Sequence, residues 1–386
     1  MSSGKDNPAY EGDDKHEKTS AVVNQKREHG DDDDDDYEDP KLHRYGWGSW
    51  RPGFLQCCHN PKGYLFFLCV YVFVQGMVAN GLVFVVITTL ERRFGFTSTR
   101  SGMIVSVYDF AAMCALIFVT YYGDRGSKPR YLGIGAFFFG VGSIVFTLPH
   151  FLSEKYNAEG TLFDTCNSTR PTPDRCSGDY EDLSSYYVVF IIAQVIHGLS
   201  GTPLYTLGIA YLDENSTPKM AALYLGIFQA VSILGPALGF ILGGVFLEFY
   251  VDMEIDPDTL PIDSSSPLWV GAWWLGFLIC GGLNILISIP LMGFGKHLPG
   301  RLRKQRQREI ETQSGAKFTT RPGFGQSLKD FPLATWTLLK NLPFMFITLS
   351  GATELFIVAY VTAFGPKYFE GIFNMTSGSA AIIAGL

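Results

Sequence analysis

Apolar runs alternate with short polar stretches along most of the chain. They extend over 63–90, 101–122, 131–152, 183–212, 221–247, 268–295 and 342–363, and their only charged residues are Asp109 and Glu354. Each run is long enough to cross ~30 Å of hydrocarbon as a helix. In lipid the backbone must satisfy its own hydrogen bonds, which leaves helices as the way for single apolar runs to cross. The pattern therefore predicts an all-α polytopic membrane protein with seven complete spans. An eighth run starts near Gly378 and reaches only Leu386.

Charge placement predicts the orientation. With a cytoplasmic N-terminus, the inside segments 1–62, 123–130, 213–220 and 296–341 hold 23 of the 30 Lys and Arg residues. That excess agrees with the positive-inside rule. Arg301, Arg303, Lys304, Arg306 and Arg308 dominate the linker 296–341, which is expected to lie on an anionic inner leaflet. The first 40 residues are polar, so no cleavable signal peptide is expected. Much of the net charge of −7 sits in this tail, where Asp31 to Asp36 form an unbroken acidic run. Such composition predicts a solvated, disordered cytoplasmic tail over 1–62, with a docking site for a basic partner as the alternative.

The loop 153–182 falls outside on this topology. It carries the sequon Asn167-Ser168-Thr169, flanked by Cys166 and Cys176, which are expected to pair in an oxidising compartment. Asn374-Met375-Thr376 is a second outside sequon, whereas Asn215-Ser216-Thr217 falls inside and should stay bare. Cys57 and Cys58 precede the first span and are candidates for palmitoylation. Cys69, Cys114 and Cys280 lie within spans as packing residues.

Composition agrees with a membrane protein, at 47% hydrophobic and 17% charged, with 31 Phe and 42 Gly. The chain contains no G-x-S-x-G, H-E-x-x-H or Walker sequence, so the corresponding enzyme classes gain no support. No cofactor, metal or nucleic-acid partner is expected.

Pro267 to Leu278 reads P-L-W-V-G-A-W-W-L-G-F-L. Trp269, Trp273 and Trp274, with Gly271 and Gly276 between them, crowd the entry of the sixth span, where an ordinary aromatic belt would also place indoles. The core W-V-G-A-W-W-x-G-F-L resembles, residue for residue, the signature of the organic anion transporting polypeptides. Ser266 and Leu268 stand where that family's pattern has Asp and Arg. Two further stretches resemble motifs of the major facilitator superfamily. One is Gly123-Asp124-Arg125-Gly126-Ser127-Lys128-Pro129-Arg130, between spans two and three, similar to that superfamily's cytoplasmic gate motif. The other is Gly235-Pro236-x-x-Gly239-x-x-x-Gly243-Gly244 in span five. There, glycines four apart permit close helix packing and the proline bends the helix.

The resemblance implies a major facilitator-type bundle of twelve helices in two halves. This chain would supply the first six-helix half (63–295), the cytoplasmic linker (296–341) and the start of the second half (342–386), with a truncated span eight. The expectation is a fragment or a truncated isoform. The resemblance also implies sodium-independent uptake or exchange of amphipathic organic anions across the plasma membrane, with bicarbonate as a proposed counter-anion. Bile salts, steroid conjugates, thyroid hormones and prostaglandins are the family's typical cargo. The rivals are a non-transporting regulatory isoform and a seven-span receptor, whose N-terminus would lie outside.

Candidate functional residues follow from the cost of charge in a bilayer. Asp109 and Glu354 either pair structurally or line the pathway. Arg92 and Arg93 end span one, where a guanidinium can recruit anions, anchor the interface or pair with Glu91. His150, in Leu148-Pro149-His150-Phe151, resembles the family's third-span histidine, implicated in pH-dependent uptake, and imidazole titrates in the right range. His197 is expected to be a packed, hydrogen-bonded core residue.

Overall fold

The computed structural model describes residues 44–123, 126–156, 183–255, 262, 266, 268–299 and 331–385. Seven helices are long and apolar enough to cross a membrane: α1 (Pro61–Phe94), α2 (Ser98–Gly123), α3 (Lys128–Leu152), α4 (Leu183–Glu214), α5 (Pro218–Glu248), α6 (Trp273–Met292) and, after the short α7 (Phe331–Leu339), α8 (Leu342–Phe373). A further short helix, α9, covers Ser377–Gly385. No β-strand occurs among the described residues.

The helix starts follow from local chemistry. Proline occupies the first turn of α1, α3, α5 and α8, where its missing N–H costs no hydrogen bond. The Asn60 side chain accepts from Gly63 N at 2.8 Å, capping α1, and Asn341 accepts from Phe344 N at 3.4 Å, capping α8. Gly95 ends α1 in the left-handed region at φ 67, a conformation suited to glycine. π-Helical turns interrupt α1 at Val78–Leu82 and α4 at Leu204–Gly208.

Within the first six helices, α3 lies along α6 and α4, α2 along α4, and α1 along α5. Small residues set the closest approaches. A Cβ on Gly239 would come within 2.6 Å of Met77 O, and one on Gly81 within 2.8 Å of the Gly239 Cα. Only glycine at both positions lets these backbones meet, and the contact gains its stability from dispersion rather than water exclusion. One polar group inside the bundle shows how such side chains pair. His197 is fully buried, contacts Ser143 Oγ at 3.0 Å and Gln194 Oε1 at 3.1 Å, and stacks on Phe139.

Segment 44–51 packs against the end of α6 at the predicted inner side. Tyr45 OH donates to Pro290 O at 2.9 Å and Trp47 Nε1 to Ile289 O at 2.8 Å. Nearby, Asn215 is fully buried: its amide donates to Tyr211 O at 2.8 Å and its carbonyl accepts from Leu298 N at 2.9 Å. Lys128 and Glu214 pair beside it, tying the start of α3 to the end of α4.

Exposed apolar surface runs along the spans, including α2 and α8. Phe110, Met113 and Phe118 of α2 are exposed, as are Phe346, Ile347 and Phe356 of α8. Pro366 is the one residue of α8 that is buried, so α8 meets the rest of the molecule near its C-terminal end.

Candidate functional site

The predicted outer end holds a dense cluster of charged side chains. Lys367 Nζ donates to both carboxylate oxygens of Glu91, at 2.8 and 2.9 Å, and to Ser98 Oγ at 2.9 Å. Ser101 Oγ donates to Glu91 from the first turn of α2. One residue on, Arg92 pairs with Glu370 and donates to Ser377 Oγ at 3.3 Å. Ser377 Oγ in turn donates to Glu370 at 3.0 Å. Both acids are well covered, with side chains 16% and 13% exposed.

The neighbouring Arg93 points elsewhere. Its guanidinium donates to Ser153 Oγ at 3.3 Å and to the Glu154 carbonyl, and lies over the Tyr156 ring at 5.4 Å. Sequence reasoning treated the two arginines alike, whereas the structure gives one a carboxylate and the other neutral oxygens. Close by, Tyr250 OH donates to Tyr156 O at 3.1 Å. Burial and then the Asp252 carboxylate push the Tyr250 phenol up to about 12. Lys155 pairs with Glu254, which raises the ammonium and lowers the carboxyl from their ordinary values.

The tryptophan stretch is folded inward rather than spread along a headgroup boundary. Helix α6 begins at Trp273, and the residues before it form an antiparallel bridge between Tyr250 and Gly271. A Cβ on Gly271 would come within 2.2 Å of Leu247 O, so a glycine is needed for this close approach. Trp269 Nε1 donates to Leu247 O at 2.9 Å and Trp274 Nε1 to Val251 O at 3.0 Å, pinning the segment to the end of α5. Trp273 is 2% exposed and lies among Phe94, Phe146 and Phe190. Gly276 faces Leu82 of α1. An interface belt accounts for apolar rings near water, but not for indoles that join three helices. His150 is half-buried and stacks on Trp274, with centroids 4.5 Å apart and planes 10° apart.

Other sequence candidates are dispersed. Gly235, Pro236, Gly239 and Gly243 lie against α1: a Cβ on Gly235 would meet Phe73 O, Pro236 lies beside Gly76, and Gly243 faces Leu82 and Val85. Gly123 is buried against Leu207, and Gly126 lies by Tyr131. Asp124 and Arg125 of the same motif lie outside the described residues, as do Asn167, Cys166 and Cys176. Asn374 is exposed in the left-handed region at φ 51, between α8 and α9. Asp109 and Glu354 are exposed on α2 and α8, and neither has an ion-pair partner among the described residues.

Lys367 and Glu370 were not among the sequence candidates, and neither was a polar group inside the bundle. Gln75 of α1 is fully buried and donates to Tyr108 OH of α2 at 2.9 Å. Gln75 Oε1 and Tyr71 OH, one turn earlier, lack hydrogen-bond partners. Buried amides without full pairing are costly, which makes this cluster a candidate polar contact for a solute. An uncharged Gln in an apolar run was the one available signal. No group of metal-ligating side chains occurs among the described residues.

Comparison with known proteins gives a consistent result. The Organic Anion Transporter Polypeptide (OATP) family profile matches residues 63–386. Solute carrier organic anion transporter family member 4A1 of Mus musculus is 43% identical over 349 residues, covering 88% of this chain and 47% of that protein. Member 4C1 of Homo sapiens is 40% identical over 342 residues, with the same 88% and 47% coverage. The chain thus spans about half the length of the curated relatives it matches. Among solved structures, a D-xylose-proton symporter matches with TM-score 0.52 and 14% identity, over 83% of this chain and 65% of that one. A bacterial homolog of the human lysosomal transporter Spinster, inward-facing and occupied, matches with TM-score 0.51 and 13% identity, over 83% and 57%. These likenesses show the fold: a helical, major facilitator-type membrane architecture.

Proposed function

The chain belongs to the Organic Anion Transporter Polypeptide family, and we propose that it works as a carrier for amphipathic organic anions by alternating access. The observation that carries this reading is the family match over 63–386, which takes in all seven spans. The account places the protein in the plasma membrane with its N-terminus in the cytoplasm and Asn167 glycosylated outside. Bile salts, steroid conjugates, thyroid hormones and prostaglandins are the cargo class, and bicarbonate is the exchanged anion.

Carriers of this fold move two helical halves against each other around a central site. Residues 63–295 form the first half in this account, and α8 opens the second. Arg93 recruits anions at the outer mouth, because its hydrogen bonds go to neutral oxygens and the nearby Asp252 carboxylate is not bonded to it, which leaves the guanidinium fork for a carboxylate or sulfate. His150, stacked on Trp274 beside it, carries the response to external pH. Asp109 and Glu354, on exposed faces, pair with groups of the opposing half. Gln75 and Tyr71 offer uncharged hydrogen bonds to the cargo's polar end.

The test is uptake of a labelled steroid sulfate in sodium-free medium. It uses the chain continued through the portion of the mouse relative that it does not span. Saturable uptake, competed by thyroid hormone and unaffected by added sodium, is expected. Surface-delivered protein that accumulates no more label than untransfected cells would contradict the reading.

A further inference from the structure

We propose that Glu91, Arg92, Lys367 and Glu370 form an ionic latch that closes the outer mouth between α1 and α8. The proposal rests on the alternating-access reading and names the groups that hold one of its two gates shut.

Four observations carry it. The charges are complementary in order: α1 presents acid then base at Glu91 and Arg92, and α8 presents base then acid one turn apart at Lys367 and Glu370. Both pairs form together, Glu91 with Lys367 and Arg92 with Glu370. Hydroxyls complete each of them. Ser98 and Ser101, on the first turn of α2, hold Lys367 and Glu91, while Ser377, at the start of α9, holds Arg92 and Glu370. The latch therefore ties α1, α2, α8 and α9 at one level.

The contact is also local. Along α8 only Pro366 is buried, and it immediately precedes Lys367. The rest of that helix is not packed into the first six, so α8 is held at the charged level and, just beyond it, by α9, whose Ala380 and Ala381 are buried and whose Gly378 meets Gly244 of α5. Finally, a cavity of about 500 Å³ is lined by Arg92 and Glu370, with Thr89, Glu248, Trp269 and Asn374 contributing other walls. Thr89, one turn below Arg92, is only 2% exposed.

The physics suits a latch better than a permanent staple. Each pair is partly covered, so its attraction is stronger than at an open surface. Water regains all four charges if α8 swings away, which keeps the opening cost modest. A permanent contact would be served better by apolar packing of the same volume.

Thiol labelling tests this without any cargo, so failure of the transport reading leaves the result interpretable. A cysteine replaces Thr89, and its reaction with a membrane-impermeant thiol reagent is followed in isolated membranes. The same protein without the added cysteine sets the background. Lys367→Glu is expected to accelerate labelling by about tenfold, as a closed–open equilibrium loses one pair and gains a like-charge contact. Glu91→Lys combined with Lys367→Glu restores the pair in reverse and should return the slow rate. A second reporter, Ser143→Cys, sits in the fully buried His197 cluster and should stay protected throughout. Equal rates in wild type and Lys367→Glu, or no rescue by the reversed pair, would overturn the latch. Accelerated labelling at both reporters would also overturn it, because the pairs would then be holding the fold rather than the mouth.

Discussion

His150 lies flat on Trp274, with ring centroids 4.5 Å apart and planes only 10° apart. The indole belongs to the tryptophan stretch at the start of α6 and the imidazole lies in the last turn of α3, so the stack joins two segments that the sequence shows no sign of bringing together. The imidazole is the one member of this stack that can exchange a proton near neutral pH. His150→Gln should therefore flatten the dependence of uptake on external pH at unchanged surface abundance. A pH profile matching the wild type would remove His150 from the mechanism.

Arg93 should act through both charge and shape. Arg93→Ala is expected to raise the apparent KM for a sulfate cargo about tenfold, the scale of one charge-assisted pair. Arg93→Lys should fall between the two, because an ammonium keeps the charge but loses the planar fork. Concentration dependence of initial uptake rates measures this. Equal KM in all three proteins would contradict the assignment.

The α1–α5 seam makes a stability prediction. A Cβ at Gly239 meets the Met77 carbonyl at 2.6 Å, and backbone offers no easy relief. Gly239→Ala should destabilise by about 1–3 kcal/mol, the usual range for overpacking. At Gly226, within the same helix, a Cβ meets nothing within 4 Å. Gly226→Ala should be neutral or stabilising by a few tenths to about 1 kcal/mol. Thermal unfolding in detergent, followed by loss of the monodisperse peak, compares the two. A larger loss at Gly226 would contradict the packing account.

The sequons separate on both topology and packing. Asn167→Gln should reduce a glycosidase-sensitive gel shift, Asn167→Gln with Asn374→Gln should abolish it, and Asn215→Gln should leave it intact. Asn215 is also structural, bridging Tyr211 O and Leu298 N while fully buried. Its Gln variant should therefore unfold at lower temperature despite carrying no glycan. Loss of the shift at Asn215 rather than Asn167 would overturn the orientation.

The spans were legible because apolar runs of this length have few alternatives in a bilayer. The helices exceed most of the runs at their ends; at α1, for example, the Asn60 cap brings Pro61 and Lys62 into the helix ahead of the run. At α6 the reverse holds: the run from 268 includes Trp269 to Ala272, which the Tyr250–Gly271 bridge keeps out of the helix. The packing role of Gly239 was legible as glycine spacing, though not its partner Gly81, which sits in a π-helical turn that periodicity does not announce. The gate charges were the least legible. Glu91 and Lys367 are 276 residues apart, and each looks like an ordinary interface charge until the fold brings them together. Arg92 and Arg93 are indistinguishable by spacing, and only the geometry assigns them different partners.

Counterflow tests the central claim of a carrier with alternating access most directly. The purified chain, continued as above through the portion of the mouse relative that it does not span, is reconstituted into liposomes with or without trapped bicarbonate or unlabelled steroid sulfate. Entry of labelled steroid sulfate is then followed without sodium. The account predicts saturable entry that is faster, with a transient overshoot, in preloaded vesicles, because a loaded binding site returns more readily than an empty one. Entry that is unsaturable and indifferent to preloading would contradict a carrier.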